Sequence, residues 1–320
     1  MGGVTLFGGD GNDKLYGYYD KAVRGYASLK ADMDDAKARN AGDYLVAGAG
    51  NDLLDGGKGV DTLEGGLGND TIYVDNTFND GDFATYDKIW EFGYEGDPGN
   101  GGTDWVISTV NIDLKDIYTD NGLFDTQLKY VENGMFIENI EFGGNSNLNA
   151  SGNWLNNIIL GNRGNNILSG ELADDTLVGD QGNDWLQGGD GKDSLTGVDL
   201  TFRGGGEIDQ LTGGADADVF VLGDSTDYFY KGYLDDDYAL ITDAGTGGDT
   251  IMLKGVPLNY RIEGASSSRL GGVTGQGVYI YVDNPVPVTG VIGTTGTEDD
   301  LIAFLSAPTG SYTLTYMGVA

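Results

Sequence analysis

The chain has 320 residues, of which 57 are glycine, and its formal net charge is −34 at pH 7. It contains no histidine and no cysteine, which excludes histidine-dependent nucleophilic catalysis, thiolate zinc sites, disulfides and iron–sulfur clusters. The acidic charge argues against nucleic acid as a partner, because binding phosphate needs clustered cations. No apolar run is long enough to predict a membrane span.

A nine-residue repeat dominates residues 1–75. Its clear units are GGDGNDKLY (8–16), AGAGNDLLD (47–55), GGKGVDTLE (56–64) and GGLGNDTIY (65–73). Glycines open each unit, the sixth position is Asp and the eighth is apolar. A helix does not tolerate so much glycine. A coil of two short strands per eighteen residues does tolerate this glycine content, because the turn glycines can adopt positive φ and each apolar residue can point inward.

Residues 18–40 interrupt this first block. They contain 5 of the chain's 17 cations together with several helix-favouring residues, so a short helix is predicted over 28–39. A tolerated surface insertion is the simpler interpretation of the segment. A basic docking arm that meets an acidic neighbour is the alternative.

Residues 76–142 lack the nine-residue repeat. The segments DKIWEFGYEG, GGTDWVISTVNIDL and ENIEF contain alternating apolar runs that predict strands. We interpret this segment as a connector that continues the solenoid with longer, metal-poor coils. An independent globular domain is the alternative.

The repeat returns over residues 143–222. Its clear units include GNRGNNILS (161–169), GELADDTLV (170–178), GDQGNDWLQ (179–187) and GGDGKDSLT (188–196), and a second insertion is predicted over 197–204. The sixth position is Asn166 in the unit 161–169, and it is Leu148 and Asn157 in the weaker units 143–151 and 152–160. Asn brings no charge, so we expect those coils to be joined by side-chain hydrogen bonds instead of ions. Residues 223–320 contain strand-like runs of another kind and are predicted to cap the roll, because an open coil end exposes strand edges.

The sixth position defines the candidate metal site. If eighteen residues make one coil, alternate units stack, and Asp43 then lies against Asp61 at about a strand spacing of ~4.8 Å. We call the stacked sixth-position residues a ladder and each of these residues a rung. Stacked like charges repel, so the ladder needs cations between its rungs. Ligands that are oxygen alone indicate a hard ion, for which calcium fits better than magnesium; solvated acidic turns are the alternative. The ten aspartates are Asp13, Asp43, Asp52, Asp61, Asp70, Asp175, Asp184, Asp193, Asp209 and Asp218.

The pattern GGxGxDxUx resembles the repeats-in-toxin (RTX) nonapeptide, whose parallel β-roll binds calcium. The resemblance implies that the ten aspartates supply side-chain ligands to several Ca²⁺ ions. It also implies an RTX-type connector over 76–142 and, as in cyanobacterial members, a β cap with an uncleaved type I secretion signal over 223–320. Main-chain carbonyl ligands are implied at Gly8, Asp10, Gly56, Lys58, Gly179, Gln181, Gly188 and Asp190.

Together these features predict an all-β chain: a right-handed parallel β-roll in two repeat blocks, with a β-rich connector and a β-rich C-terminal cap. We expect a secreted, non-enzymatic calcium-binding protein that forms an extracellular surface layer, matrix or fibre by head-to-tail or lateral self-association. One alternative is the calcium-binding and export module of a larger secreted enzyme. Another is an adhesin that binds cell-surface polysaccharide through tyrosine clusters at 16–26 and 228–233.

Overall fold

The computed structural model describes residues 5–10, 13–18, 42–57, 61–74, 87–90, 102–114, 136–199, 206–224, 229–230, 237–245, 247–254, 260–264, 277–282, 300–306 and 313–317. Every regular element within these ranges is a β-strand, which confirms the predicted all-β class. The helix predicted over 28–39 lies outside the described residues. Within the described part of the chain, no helix is long and apolar enough to cross a membrane.

The chain divides into two compact units. The first comprises residues 1–144 and 148–158, and the second comprises residues 145–147 and 159–320. The strands of the first unit are β1 (Thr5–Asp10), β2 (Lys14–Tyr18), β3 (Tyr44–Ala49), β4 (Leu53–Gly57), β5 (Thr62–Leu67), β6 (Thr71–Val74), β7 (Lys88–Trp90), β8 (Trp105–Ser108), β9 (Ile112–Asp113), β10 (Asn139–Phe142) and β11 (Asn149–Ser151).

The strands of the first unit pair in parallel with their second neighbours along the chain. One set has the order β1-β3-β5-β7 and another the order β2-β4-β6-β8-β10. Leu45 of β3 is opposite Leu63 of β5, eighteen residues later, as the predicted coil length requires. In β6, Ile72 is opposite Val106 of β8, which is opposite Ile140 of β10. The described strands of the connector therefore continue the solenoid with longer coils.

The second unit has the same architecture followed by an antiparallel end. β12 (Ile158–Leu160) spans the boundary between the units in sequence. The remaining strands are β13 (Ile167–Leu172), β14 (Thr176–Val178), β15 (Trp185–Asp190), β16 (Ser194–Thr196), β17 (Ile208–Ala215), β18 (Val219–Val221), β19 (Tyr238–Ile241), β20 (Thr250–Lys254), β21 (Tyr260–Gly264), β22 (Gly277–Val282), β23 (Asp300–Ser306) and β24 (Thr313–Met317).

Parallel pairing again joins alternate strands in the second unit. Leu168 of β13 is opposite Leu186 of β15, which is opposite Leu211 of β17. The second set runs β14-β16-β18-β20-β24, all parallel. At the end of the first set, β22 pairs antiparallel with both β21 and β23. This parallel strand stacking confirms the predicted β-roll.

The core consists of the apolar residues at the eighth position. Leu45, Leu54 and Leu63 are fully buried, whereas Leu15, at the first coil, is only half-buried. Burying one such side chain stabilises the fold by about 1.5–3 kcal/mol. The same position is fully buried at Ile72, Leu177, Leu186, Leu195, Leu211 and Phe220.

The repeat uses left-handed backbone at its second position, near the end of a strand, and at its fourth position, in the turn that follows. Gly66 has φ 109° and Gly68 has φ 123°, and a Cβ on either would collide with a carbonyl oxygen of the preceding coil. Glycine is therefore required there both for its conformation and for the close stacking. A few other residues take the same conformation, among them Asp180 at φ 78°.

Candidate metal centre

The sixth-position aspartates of the first unit form a hydrogen-bonded ladder from coil to coil. The main-chain N–H of Asp43 donates to Oδ1 of Asp61 at 2.7 Å. The N–H of Asp52 donates to Oδ1 of Asp70 at 2.8 Å, and the N–H of Asp13 donates to Oδ1 of Asp52 at 2.6 Å. The last bond joins residues on either side of the 18–40 insertion, so the insertion does not break the ladder.

The second unit repeats the ladder. The N–H of the first residue donates to Oδ1 of the second in the pairs Asn166–Asp184, Asp184–Asp209, Asp175–Asp193 and Asp193–Asp218, at 2.7 to 2.9 Å. In two of these pairs the residues are 25 positions apart instead of eighteen, because the insertion over 197–204 lies between the two residues of each pair. One oxygen of each carboxylate is thus stabilised by a main-chain donor. The rungs repel each other less than stacked free carboxylates would.

Four further acids join the ladder outside the clear repeats. The acceptors are Asp87 for the N–H of Asp61, Asp104 for Asp70, Glu138 for Asp104, and Asp249 for Asp218. The nine-residue spacing does not identify these four acids as ladder residues, because loops of irregular length precede them. The signal that finds them is an apolar residue two positions later, as in the repeats: Ile89, Val106, Ile140 and Ile251.

The second carboxylate oxygen faces a space that only glycine leaves open. A Cβ on Gly179, at the first position of its unit, would collide with Oδ2 of Asp184 and with the carbonyl oxygen of Gly197 in the next coil. The carboxylate oxygen of Asp184 and the carbonyl oxygen of Gly197 therefore face the same small space. Oδ2 is buried and has no hydrogen-bond partner in Asp52, Asp70, Asp104, Asp184, Asp193 and Asp218.

Burial raises the pKa of these carboxyl groups. It raises the pKa of Asp184 to about 9, with a further contribution from the charge of Asp209. Burial also raises the pKa of Asp218 to about 8 and that of Asp193 to about 6, against the hydrogen bond that each accepts from the main chain. Desolvation disfavours the charged form of a carboxyl group. A cation at Oδ2 would reverse this effect and hold the carboxylate ionised.

This donor set fits a hard cation. The available atoms are carboxylate oxygens and main-chain carbonyls, which calcium accepts in sets of six to eight with irregular geometry. Within the described ranges, no three acidic side chains converge closely enough to hold an ion by themselves. Each ion would therefore take part of its shell from turn carbonyls, such as that of Gly197 beside Asp184.

All ten predicted aspartates lie on the ladder. Among the predicted carbonyl ligands, Gly8, Gly56, Gly179 and Gly188 occupy the first position, where a Cβ would approach the aspartate of the same unit. Asp10 and Asp190 end strands β1 and β15. The side-chain amide of Gln181 donates to Asp199 at 3.1 Å, and Lys58 lies outside the described residues. The assignment of individual residues to individual ions stays a prediction.

Asparagine rungs join coils through hydrogen bonds. Nδ2 of Asn157 donates to the carbonyl oxygens of Ile137 at 3.1 Å and Glu138 at 3.0 Å, both in the preceding coil. Its Oδ1 accepts the N–H of Asn153 at 2.8 Å within the same turn. An amide thus supplies the donor that a carboxylate lacks. This arrangement agrees with the hydrogen-bonded coil expected from the sequence.

At Asp209, the second carboxylate oxygen also accepts a hydrogen bond. The hydroxyl of Tyr230 donates to Oδ2 of Asp209 at 2.6 Å, and both side chains are fully buried. Burial, followed by the charge of Asp209, raises the pKa of the Tyr230 phenol, so the hydroxyl keeps its proton at neutral pH. Asp209 therefore differs from Asp184, whose Oδ2 has no such donor.

A second ladder, not identified from the sequence, lies at the fifth position of the repeat. The N–H of Asn165 donates to Oδ1 of Asn147 at 2.9 Å, and the N–H of Asn183 donates to Oδ1 of Asn165 at 3.0 Å. Asn69 bonds to Asn51 in the same way in the first unit, at 3.1 Å. These exposed bonds run in the opposite direction to the aspartate ladder. The recurrence of Asn at this position was the available signal.

Stacked parallel coils with buried, oxygen-rich turns define a calcium-binding β-roll. The chain matches the family described as RTX calcium-binding nonapeptide repeat (4 copies) over residues 2–20, 39–72, 151–184, 169–198 and 201–230, so it carries RTX repeats that bind several calcium ions. Such repeats are typical of secreted proteins. No curated protein matches the chain.

Among solved structures, the chain is similar to the crystal structure of extracellular lipase LipA from Serratia marcescens. The two sequences are 16% identical, and the TM-score is 0.18. The alignment covers 95% of this chain and 36% of the lipase chain. This chain therefore spans little more than a third of the lipase's length.

Proposed function

We propose that this protein is a secreted, non-enzymatic structural protein that folds around calcium and builds an extracellular surface layer, matrix or fibre. The observation that carries the proposal is the set of buried carboxylate oxygens without a hydrogen-bond partner, in Asp52, Asp70 and Asp184 for example. A roll with so many uncompensated buried acceptors is costly without cations. Calcium binding and folding are therefore one reaction.

Export follows from this coupling. Free calcium is scarce in the cytosol, and extracellular calcium modules bind with dissociation constants of about 10⁻⁴–10⁻³ M. Sites of that affinity fill only outside the cell. Before export, repulsion within a net charge of −34 keeps the chain loose, and a loose chain suits passage through a secretion channel.

Self-association is supported by apolar side chains on the outside of the roll. Phe7 of β1 is 72% exposed, and β1 stands at the end of its strand order. On the outer face of the second unit, Ile167 and Trp185 lie opposite each other on β13 and β15, and both are exposed.

Electron microscopy of the purified chain in millimolar calcium, in chelator and in millimolar magnesium tests this proposal. Filaments or sheets in calcium alone support a surface layer, matrix or fibre. Monomers under all three conditions, with sedimentation velocity giving one species at every protein concentration, contradict it. Magnesium is the matched control because it carries the same charge but prefers strict octahedral coordination.

The two alternatives predict different results. A module of a larger enzyme would fold with calcium and remain monomeric. A polysaccharide adhesin would bind a glycan array through exposed tyrosines. The cluster at 228–233 gives that interpretation little support, because Phe229 and Tyr230 are fully buried and cannot stack on a sugar.

A further inference from the structure

The surroundings of Asp209 differ from those of Asp184 and Asp193 in the same unit. At Gly179, a Cβ would meet the Oδ2 of the unit's aspartate and a carbonyl oxygen of the next coil. Gly188 repeats this arrangement with Asp193 and Gly213. In both spaces a carboxylate oxygen and a carbonyl oxygen lie close together, and the carboxylate oxygen has no hydrogen-bond partner.

At Gly197 the second acceptor is replaced by a donor. A Cβ there would collide with Oδ2 of Asp209 and with the hydroxyl oxygen of Tyr230. The hydroxyl stands where a next-coil carbonyl stands at Gly179, and it donates to Oδ2 of Asp209 at 2.6 Å. At Asp184 and Asp193, two oxygens face each other and a cation is needed between them. At Asp209 the proton of the Tyr230 hydroxyl takes that role.

The backbone of Tyr230 has an unusual conformation. Tyr230 has φ 53°, a left-handed conformation that is rare for a bulky residue and persists only where its surroundings enforce it. The side chain is fully buried, as is that of Phe229, whose N–H donates to the carbonyl oxygen of Leu222 at 3.1 Å. The hydroxyl therefore occupies its place as part of the folded core.

We infer that the Tyr230 hydroxyl takes the place of a calcium ion at Asp209, so that this rung binds no metal. The inference rests on the proposed calcium-driven folding, because it assumes that the neighbouring rungs are filled. The Asn166–Asp184–Asp209 column then holds calcium only between its ends: an asparagine occupies one end, and a hydrogen-bonded aspartate the other. Tyr230 attaches its segment to the roll without an ion.

Calcium stoichiometry of the full-length chain, measured by equilibrium dialysis at saturating calcium, tests the inference. Asp209→Asn should bind as many ions as the wild-type chain, whereas the matched variant Asp193→Asn should lose at least one. Loss of an ion from Asp209→Asn, equal to the loss in Asp193→Asn, would overturn the inference. If instead the wild-type chain binds no calcium, the proposed function itself fails.

Two further measurements do not depend on how Asp209→Asn folds. Tyr230→Phe removes only the hydroxyl, and we expect it to lower the thermal midpoint in saturating calcium without lowering the ion count. A lower ion count would mean that the hydroxyl is a ligand, contrary to the inference. In crystals of the wild-type chain grown with calcium, anomalous density is expected beside Oδ2 of Asp184 and Asp193. A peak beside Oδ2 of Asp209 would refute the inference directly.

Discussion

The main-chain N–H of Asp52 donates a 2.8 Å hydrogen bond to Oδ1 of Asp70, eighteen residues later in the chain. This contact fixes the register of two coils and leaves Oδ2 of Asp70 buried with no hydrogen-bond partner. One carboxylate therefore has two roles. Its first oxygen joins the coils through the main chain, and its second is available to an ion.

Removing the charge of one rung should remove calcium. We expect Asp70→Asn to bind at least one ion fewer and to need more calcium for half-maximal folding, because Asn keeps the acceptor for Asp52 but loses the ionic ligand. Equilibrium dialysis and circular dichroism measure the two quantities. Asn166→Ala is the control. It should bind the wild-type number of ions, and an equal loss in both variants would contradict the distinction between Asp and Asn rungs.

Adding a charge to an asparagine rung should destabilise the roll without calcium. Asn157→Asp replaces an amide that donates to two carbonyl oxygens by a carboxylate that faces them. Each buried group left unsatisfied costs about 1–3 kcal/mol, and added calcium should recover part of the loss. Calcium titrations of thermal unfolding measure the effect.

The control for Asn157→Asp is Asn165→Asp, at an exposed rung where the carboxylate still accepts the N–H of Asn183. We expect a change within about 0.5 kcal/mol there, as for most surface substitutions. Equal effects of the two substitutions would show that the amide donors of Asn157 do not matter.

Filling a glycine space should exclude the ion. A Cβ at Gly179 collides with Oδ2 of Asp184 and with a carbonyl oxygen. Overpacking typically costs about 1–3 kcal/mol, and we expect Gly179→Ala also to bind one ion fewer. In the control Gly143→Ala the nearest contact is Cγ2 of Thr109 at 3.4 Å, an ordinary distance. Retention of the full ion count by Gly179→Ala would show that the ion lies elsewhere.

Acid should favour the folded chain when calcium is absent. Burial raises the pKa of Asp184 to about 9 and that of Asp218 to about 8, well above the usual value of about 3.9 for Asp in an unfolded chain. A group whose pKa is raised on folding stabilises the folded state below its unfolded pKa. That stability is lost as the pH rises through the folded values. In chelator, the β signal in circular dichroism should therefore grow as the pH falls from about 9 towards about 4.

Calcium should reverse this pH dependence. The ion competes with protons for the same oxygens, so the calcium concentration at half-maximal folding should fall as the pH rises. Parallel titrations in chelator and in calcium measure the two trends. The same pH dependence in both would contradict the assignment of the buried carboxylates to the ion sites.

Periodicity predicted much of this structure, because the coil imposes it on the sequence. The pairing of Leu45 with Leu63 follows directly from a spacing of eighteen. The same reasoning could not place Asp104 and Glu138 on the ladder, since the loops between coils vary in length and the hydrogen-bonded register survives that variation.

The exception at Asp209 lay outside the reach of a repeat pattern. The unit of Asp209 is one residue short, but Asp209 precedes a buried leucine by two positions, as Asp193 does, and both aspartates are buried. What distinguishes Asp209 is the hydroxyl of Tyr230, which lies 21 residues later in the chain. A tertiary contact of this kind leaves no periodic trace in the sequence.

Whether calcium drives folding can be measured by circular dichroism of the full-length chain during a calcium titration. We expect an unfolded spectrum in chelator at neutral pH and a cooperative change to a β spectrum at millimolar calcium, reversed by chelator. A β spectrum that is the same in chelator and in calcium would contradict it.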